Sequence, residues 1–181
     1  MRKTLILAGV LSLSPLAAVG VQPFEDARPL REIDRALVEL EDTMHRTCDP
    51  DLADKAEDAI AKLESAGQEL AKQQPDDQAA AGHLEGAIGD LEAAVKDKCF
   101  DPATGIGVMD DLAAISRQLA TRALDATFSY GGKRDELRQA RNELARGDAL
   151  RAAGRRGRLD DFKQAAAKYK DALSKAQGAI Q

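Results

Sequence analysis

The sequence predicts an all-helical protein, with an antiparallel four-helix bundle followed by a C-terminal helical hairpin. Apolar residues recur at steps of three and four along most of the 181-residue chain, which is the spacing of one buried helix face. Aromatic residues make up only 3% of the chain and Trp is absent, so the apolar content is mostly Ala and Leu, which favour helices. No run of β-branched residues alternates with polar residues, and we therefore predict no strand.

The N-terminal segment has the three parts of a secretory signal. Arg2 and Lys3 supply a positive start, Leu5–Leu13 form a short apolar core, and Ala18-Val19-Gly20 place small residues at the cleavage site. The apolar core is too short to span a bilayer, and no later segment is long and apolar enough. We therefore expect residues 1–20 to be a signal peptide. The mature protein should be periplasmic or extracellular and should lack a transmembrane anchor.

The four helices of the predicted bundle occupy residues 21–130 and are separated by short polar breaks. These breaks fall at Asp49-Pro50, at Pro75-Asp76 and in a loop from Asp101 to Gly107. Asp49 should cap the second helix, with Pro50 at its first position. Short connections between helices of similar length imply an up-down-up-down order. The predicted core positions of the four helices are Leu30, Ile33, Leu37, Leu40 and Met44; Leu52, Ala56, Ala59, Ile60, Leu63, Ala66 and Leu70; Leu84, Ile88, Leu91 and Val95; and Val108, Leu112, Ile115, Leu119 and Ala123.

A second helical unit is predicted after Gly131-Gly132 and covers residues 131–181, with a turn at 154–157. Residues 21–128 carry 11 Lys and Arg against 24 Asp and Glu, a net charge of −13, whereas residues 129–181 carry 13 against 7, a net charge of +6. An acidic bundle is thus followed by a basic hairpin. Two helices alone bury little surface, so the hairpin should dock on the bundle or on a partner. Its predicted core positions are Leu137, Ala140, Leu144, Phe162, Ala166, Tyr169, Leu173, Ala176 and Ile180.

The chain contains two cysteines, Cys48 and Cys99. Cys48 follows the first predicted helix and Cys99 follows the third, and these helices end at the same pole of an up-down-up-down bundle. An exported protein enters an oxidising compartment, where such pairs form disulfides. We therefore predict a Cys48–Cys99 disulfide, which closes a loop of about fifty residues and contributes on the order of 4 kcal/mol.

The middle of the chain has a characteristic spacing of one lysine and several alanine, leucine and isoleucine residues, namely Lys62, Leu63, Ala66, Ala81, Leu84, Ile88, Leu91, Leu112 and Leu119. This spacing, from Ile60 to Leu119, resembles the FIMAH-type helical domain of exported bacterial proteins. The resemblance covers about a third of the chain and does not include the cysteines. It implies an accessory, non-catalytic domain, and the family has no active site whose residues could be assigned in this chain.

The C-terminal hairpin has a second family pattern. Gly147 and Gly154 are seven residues apart in its first helix, and its second helix carries Phe162, Ala165, Tyr169, Ala172 and Leu173. These positions resemble a single tetratricopeptide repeat. The turn from Arg155 to Asp160 is longer than in that family, and a solenoid needs about three repeats. The resemblance therefore implies a helical hairpin that favours contacts with proteins, without a peptide groove.

Several kinds of catalytic and metal site are not expected. Asp42–His45 resembles one carboxylate-x-x-His arm of a di-iron bundle, but that site needs two such arms, and His83 lacks an acidic residue three positions earlier. Asp49, Asp51 and Asp54 lack the order of an EF-hand loop. The chain has neither a Cys-x-x-Cys-His haem motif nor a Gly-x-Ser-x-Gly nucleophile elbow. We therefore predict no catalytic, cofactor or metal site and no enzymatic activity.

Four arginines form the one concentrated charge feature: Arg151, Arg155, Arg156 and Arg158. They could contact an external anion or partner, or they could dock the hairpin on its own acidic bundle. Nucleic acid is not expected as a partner, because the protein is exported, has a net charge of −5 and lacks aromatic residues in this stretch.

These observations predict a non-enzymatic, exported accessory protein that binds through helical surfaces. Its expected partner is another envelope or secreted protein, and homo-oligomers remain open. Two alternatives are a four-helix bundle that carries a cofactor or metal, and a module that binds an anionic polymer or a membrane surface.

Overall fold

A computed structural model describes residues 27–49 and 53–180 and contains six α-helices in these ranges, with no strand. The predicted signal peptide lies outside the described residues. The all-helical fold class is confirmed. The helices are α1 (Ala27–Thr47), α2 (Asp54–Ala71), α3 (Asp77–Lys96), α4 (Pro102–Ser129), α5 (Arg134–Gly154) and α6 (Asp160–Gly178).

The first four helices form the predicted bundle. α1 packs against α2 and α4, and α3 packs against the same two helices, so the four close into a ring. Short connections between helices that pack side by side make successive helices antiparallel. Among the described residues, none of these helices is both long and apolar enough to cross a membrane. The bundle core contains most of the predicted positions, including Ile33, Leu63, Leu84, Leu91 and Leu119.

The predicted disulfide is present. Cys48, after α1, is bonded to Cys99, after α3, across a sequence separation of 51 residues. Cys99 is fully buried within the hydrophobic core, and Cys48 packs against that core. The bond therefore joins the α1–α2 connection to the α3–α4 connection at one pole of the bundle.

Capping side chains fix the starts of α3 and α4. The Asp76 carboxylate accepts the backbone N–H of Ala79 at 2.8 Å. Asp101 accepts the backbone N–H groups of Ala103 and Thr104 at 2.9 and 3.1 Å, with Pro102 in the first turn. Each acceptor satisfies N–H groups that the helix itself leaves unpaired.

Two predicted boundaries are wrong. α4 begins at Pro102, so the glycines at 105 and 107 lie inside the helix and not in a loop. Gly105 is buried against Val95, whose side chain would clash with a Cβ, and the glycine thus allows α3 and α4 to approach closely. α2 begins at Asp54 with Ala53 at the cap position, so Asp49 is not its cap.

The hairpin completes the same hydrophobic core. α6 packs against α3, α4 and α5, while α5 packs against α4 and α6. Ile180 is an exception to the predicted core, because α6 ends at Gly178 and the Ile180 side chain is 56% exposed. A smaller apolar cluster joins the ends of α4 and α6 to the start of α5. The α6 residues in the main core are Phe162, Ala165, Ala166, Tyr169, Ala172 and Leu173.

Candidate binding surface

The structure gives intramolecular partners to three of the four predicted arginines. Arg151 Nε lies 2.7 Å from Oδ1 of Asp110 on α4, and Arg155 Nε lies 2.8 Å from the same oxygen. Each guanidinium also donates to the second oxygen of Asp110, so both ion pairs are bidentate. Arg158 pairs with the buried Asp161 at 2.9 Å. The two pairs with Asp110 join the hairpin to the bundle, whereas the Arg158–Asp161 pair lies within the hairpin. Contact of these arginines with an external anion stays a prediction.

The fourth arginine has a different setting. Arg156 is exposed in the α5–α6 turn, and its side chain makes no ion pair with the described residues. The four arginines are therefore close in sequence but differ in their contacts, because three of them form internal ion pairs. An external ligand at this turn would contact Arg156, because the other three arginines already pair with carboxylates of the same chain.

A second polar contact lies on the same face of the hairpin. Asp148 on α5 accepts from Arg117 of α4 at 2.7 Å and from the Tyr169 hydroxyl of α6 at 2.8 Å. Burial raises the pKa of Asp148, but the hydrogen bonds from Arg117 and Tyr169 outweigh it and leave the pKa below its ordinary value. Burial, together with the bond to Asp148, raises the pKa of Tyr169 far above its ordinary value.

The pKa of Asp110 is set by the same two opposing effects. Burial raises the pKa of its carboxyl, but hydrogen bonds from Arg151 and Arg155 outweigh that effect and hold the pKa below its ordinary value. Asp110 and Asp148 are thus ionised and Tyr169 is protonated near neutral pH. General acid–base catalysis needs groups with pKa values near the working pH. These groups are therefore suited to fixing the α4–α5–α6 contact and not to proton transfer.

The one metal-like motif has other partners. His45 Nδ1 lies 2.7 Å from the backbone oxygen of Glu41. Asp42 pairs with Arg46 one turn later on α1, at 2.5 Å. Within the described ranges, no group of three or more His, Cys, Asp and Glu side chains is arranged to hold a metal ion.

Among the residues that the structure describes, the most exposed aromatic side chains lie where α4 meets α5. Phe128, in the last turn of α4, is 64% exposed, and Tyr130, in the following turn, is 73% exposed. The chain has only four Phe, two Tyr and no Trp. By contrast, the aromatic side chains of Phe100, Phe162 and Tyr169 are at most 2% exposed. Phe128 and Tyr130 are therefore the only exposed aromatic residues in the described part of the chain.

Basic side chains surround this exposed pair. Lys133 precedes α5, and Arg134, Arg138 and Arg141 follow at steps of four and three, which places them on one face of the helix. All four residues are exposed. We call Phe128, Tyr130 and these four cations the aromatic–basic corner.

Three contacts involve cations in or beside the aromatic–basic corner. The Arg141 guanidinium carbon lies 5.5 Å from the centre of the Phe128 ring, within the range of a cation–π contact. Arg138 pairs with Asp135 at 3.0 Å, but these two side chains are 74% and 81% exposed, so water screens the pair. Lys175 of α6 donates to Gln139 at 3.1 Å and adds a further cation beside α5.

Backbone contacts fix the position of the corner. Gly131 has a φ of +75°, which glycine adopts without strain, and this reverses the chain after α4. The N–H of Gly132 then donates to the Thr127 carbonyl at 3.0 Å, and the N–H of Lys133 donates to the Ala179 carbonyl at 3.1 Å. The turn is therefore tied to the end of α6, which brings the exposed Ile180 next to it.

The sequence contained a signal for the corner that the charge count did not reveal. Two aromatic residues flank Ser129 and are followed by two glycines and by Lys133-Arg134. The glycines predict a sharp turn, and side chains at a turn lie on the surface. An aromatic pair at this place is therefore expected to be exposed beside two cations.

Comparisons with known proteins leave the family assignment open. No family model, no curated protein and no solved structure matches the chain. The resemblances to the FIMAH-type domain and to a tetratricopeptide repeat therefore stay predictions.

Proposed function

We propose that this protein is a non-enzymatic, exported accessory protein that binds a partner through the aromatic–basic corner. The observation that carries the proposal is the exposure of Phe128 and Tyr130 in a chain whose other described aromatic side chains are buried. Exposed apolar patches that are rimmed by polar residues mark sites of interaction with proteins or membranes. The disulfide supports the exported part of the proposal, because such bonds persist in oxidising compartments.

The chemistry of the corner suits binding. Tyr, Phe and Arg are enriched at interfaces, and a few buried aromatic and Arg side chains supply most of the binding energy. Phe128 and Tyr130 lose little conformational freedom on binding, since each ring is set by two torsions. The backbone hydrogen bonds of Gly132 and Lys133 hold the turn in place before binding. Such preorganisation lowers the entropic cost of association.

Retention of envelope material tests the proposal. The protein would be immobilised and exposed to an envelope fraction that contains both membranes and envelope proteins. Phe128→Ala/Tyr130→Ala should lose what the unaltered protein retains. Val38→Ala is the matched control, because Val38 is 67% exposed on α1, away from the corner. Equal retention by all three proteins, or retention by none, would refute the proposal.

One further measurement separates this proposal from the cofactor-carrying alternative. An absorption spectrum and metal analysis of the purified protein should show no stoichiometric haem or metal. A stoichiometric amount of either would favour the alternative in which the bundle carries a cofactor or metal.

A further inference from the structure

We propose that the partner of the aromatic–basic corner is an anionic membrane surface. In this arrangement Phe128 and Tyr130 enter the headgroup layer, and Lys133, Arg134, Arg138 and Arg141 contact lipid phosphates. The inference rests on the proposed function, because it names the chemical class of the partner at the same site.

The exposed rings have the chemistry of an interfacial anchor. Aromatic rings, especially amphipathic ones such as that of Tyr, favour the level of the lipid headgroups. Phe128 and Tyr130 lie at a helix end and a turn, and they are 64% and 73% exposed. A headgroup layer can accept these two side chains without offering a complementary pocket.

The charges around the rings match an anionic surface. Between Ser129 and Arg141 the chain carries four cations against two acidic residues, Asp135 and Glu136. The exposed acidic residue nearest on α4 is Asp125, one turn before Ser129. The corner is thus locally positive in a protein whose overall net charge is −5. Basic residues near an anionic surface each strengthen binding, and the effect fades within a Debye length.

The charge distribution along the chain also predicts which side of the protein faces the membrane. Residues 21–128 have a net charge of −13 and residues 129–181 a net charge of +6. An anionic surface repels the acidic bundle and attracts the hairpin, so it favours approach through the basic side. An acidic protein could use the same attraction, and the experiment below distinguishes it from lipid.

Vesicle sedimentation tests the inference with the disulfide-bonded protein from which residues 1–20 have been removed. The vesicles consist of phosphatidylcholine alone or mixed with phosphatidylglycerol. Binding should require phosphatidylglycerol and weaken as salt is added. Phe128→Ala/Tyr130→Ala should reduce binding about tenfold or more, because it removes most of the exposed apolar surface of the rings. Val38→Ala should bind within about twofold of the unaltered protein, because the removed apolar surface lies outside the corner.

A charge reversal tests the electrostatic part. Arg134→Glu should reduce binding at least about fivefold, since it removes one cation and adds an anion at the surface. The substitution is compatible with folding, because an acidic side chain in the first turn of α5 is favoured by the helix dipole. Arg156→Glu, at an exposed position in the α5–α6 turn and so at the other end of α5, is the matched control and should change binding less than twofold.

Tyrosine fluorescence provides a readout that folding defects do not imitate. The chain has two tyrosines and no Trp, and Tyr169 is fully buried whereas Tyr130 is 73% exposed. Lipid that carries a nitroxide at the headgroup should quench part of the emission of the unaltered protein. Tyr130→Phe should bind the same vesicles and lose that quenched part. Unquenched emission from vesicle-bound protein would overturn the predicted insertion.

The outcomes separate failure of this inference from failure of the proposed function. If vesicles do not bind, while Phe128→Ala/Tyr130→Ala still loses an envelope protein, the corner binds a protein and the lipid inference is overturned. If neither vesicle binding nor envelope retention depends on these rings, both proposals are overturned. Equal binding to neutral and anionic vesicles, unaffected by Arg134→Glu, overturns the electrostatic argument.

Discussion

Replacing Gly147 with alanine should destabilise the protein, although alanine is the better helix former. Gly147 lies in α5 and is buried. A Cβ added there would lie 2.7 Å from Cδ1 and 3.0 Å from Cζ of the Tyr169 ring. Carbon atoms prefer separations of about 3.5–4.0 Å, so the ring would have to move. Tyr169 is fully buried and its hydroxyl donates to Asp148 at 2.8 Å, which opposes that movement.

Two opposing terms set the magnitude of this effect. Overpacking a core costs about 1–3 kcal/mol, and the short contacts at Tyr169 place this site at the upper end, about 3 kcal/mol. Alanine recovers about 1 kcal/mol relative to glycine inside a helix. The net loss in the free energy of unfolding is therefore about 2 kcal/mol. For a protein of this size each kcal/mol shifts the Tm by about 2–4 °C, so the Tm should fall by about 4–8 °C.

Urea unfolding followed by circular dichroism measures this change. Gly82→Ala is the matched control, because Gly82 lies inside α3 and an added Cβ would have nothing within 4 Å. It should gain up to about 1 kcal/mol, so the two substitutions should shift the unfolding midpoint in opposite directions. If Gly147→Ala also stabilises the protein, the close approach of α5 to Tyr169 in α6 is not as described.

Three further predictions concern the disulfide and the ion pairs. Replacing both cysteines with serine should lower the free energy of unfolding by about 4 kcal/mol, as the chain-entropy model gives for a separation of 51 residues, and a loss below about 1 kcal/mol would contradict that account. Because the pKa values of Asp110 and Asp148 are lowered by folding, their stabilisation is present above the unfolded pKa of about 4 and is lost as the pH falls through the folded values. Urea titrations in acid should therefore show a weaker decline for Asp110→Asn than for the unaltered protein. Arg155→Glu should lower stability by up to about 1 kcal/mol, whereas Arg156→Glu should not change the Tm, and equal effects would show that the Arg155–Asp110 pair does not stabilise the docked hairpin.

The helices could be predicted because their signals are local. A seam of apolar residues, an acidic cap or a proline acts within one or two turns, and these signals placed α3 to within a few residues. The loop predicted between α3 and α4 was wrong because glycine can either form a turn or allow two helices to pack closely. Gly105 looked like a turn residue, but it provides room for Val95, and Val95 lies on a different helix. Sequence spacing within one helix carries no information about such a contact.

The same limit explains which part of the candidate site was missed. The arginines at 151–158 are close in sequence, but partners such as Asp110, which lies 41 residues from Arg151, decide which of them are available to a ligand. A dense charge run can thus be an internal contact once the chain is folded. The aromatic–basic corner is the opposite case. A single residue such as Phe128 attracts less notice in a sequence than a run of four arginines. What distinguishes it is exposure, and exposure is a property of the packed structure: the same residue type is fully buried at Phe162. Charge density in the sequence therefore predicts partners less well than the apolar surface that remains exposed after internal pairing.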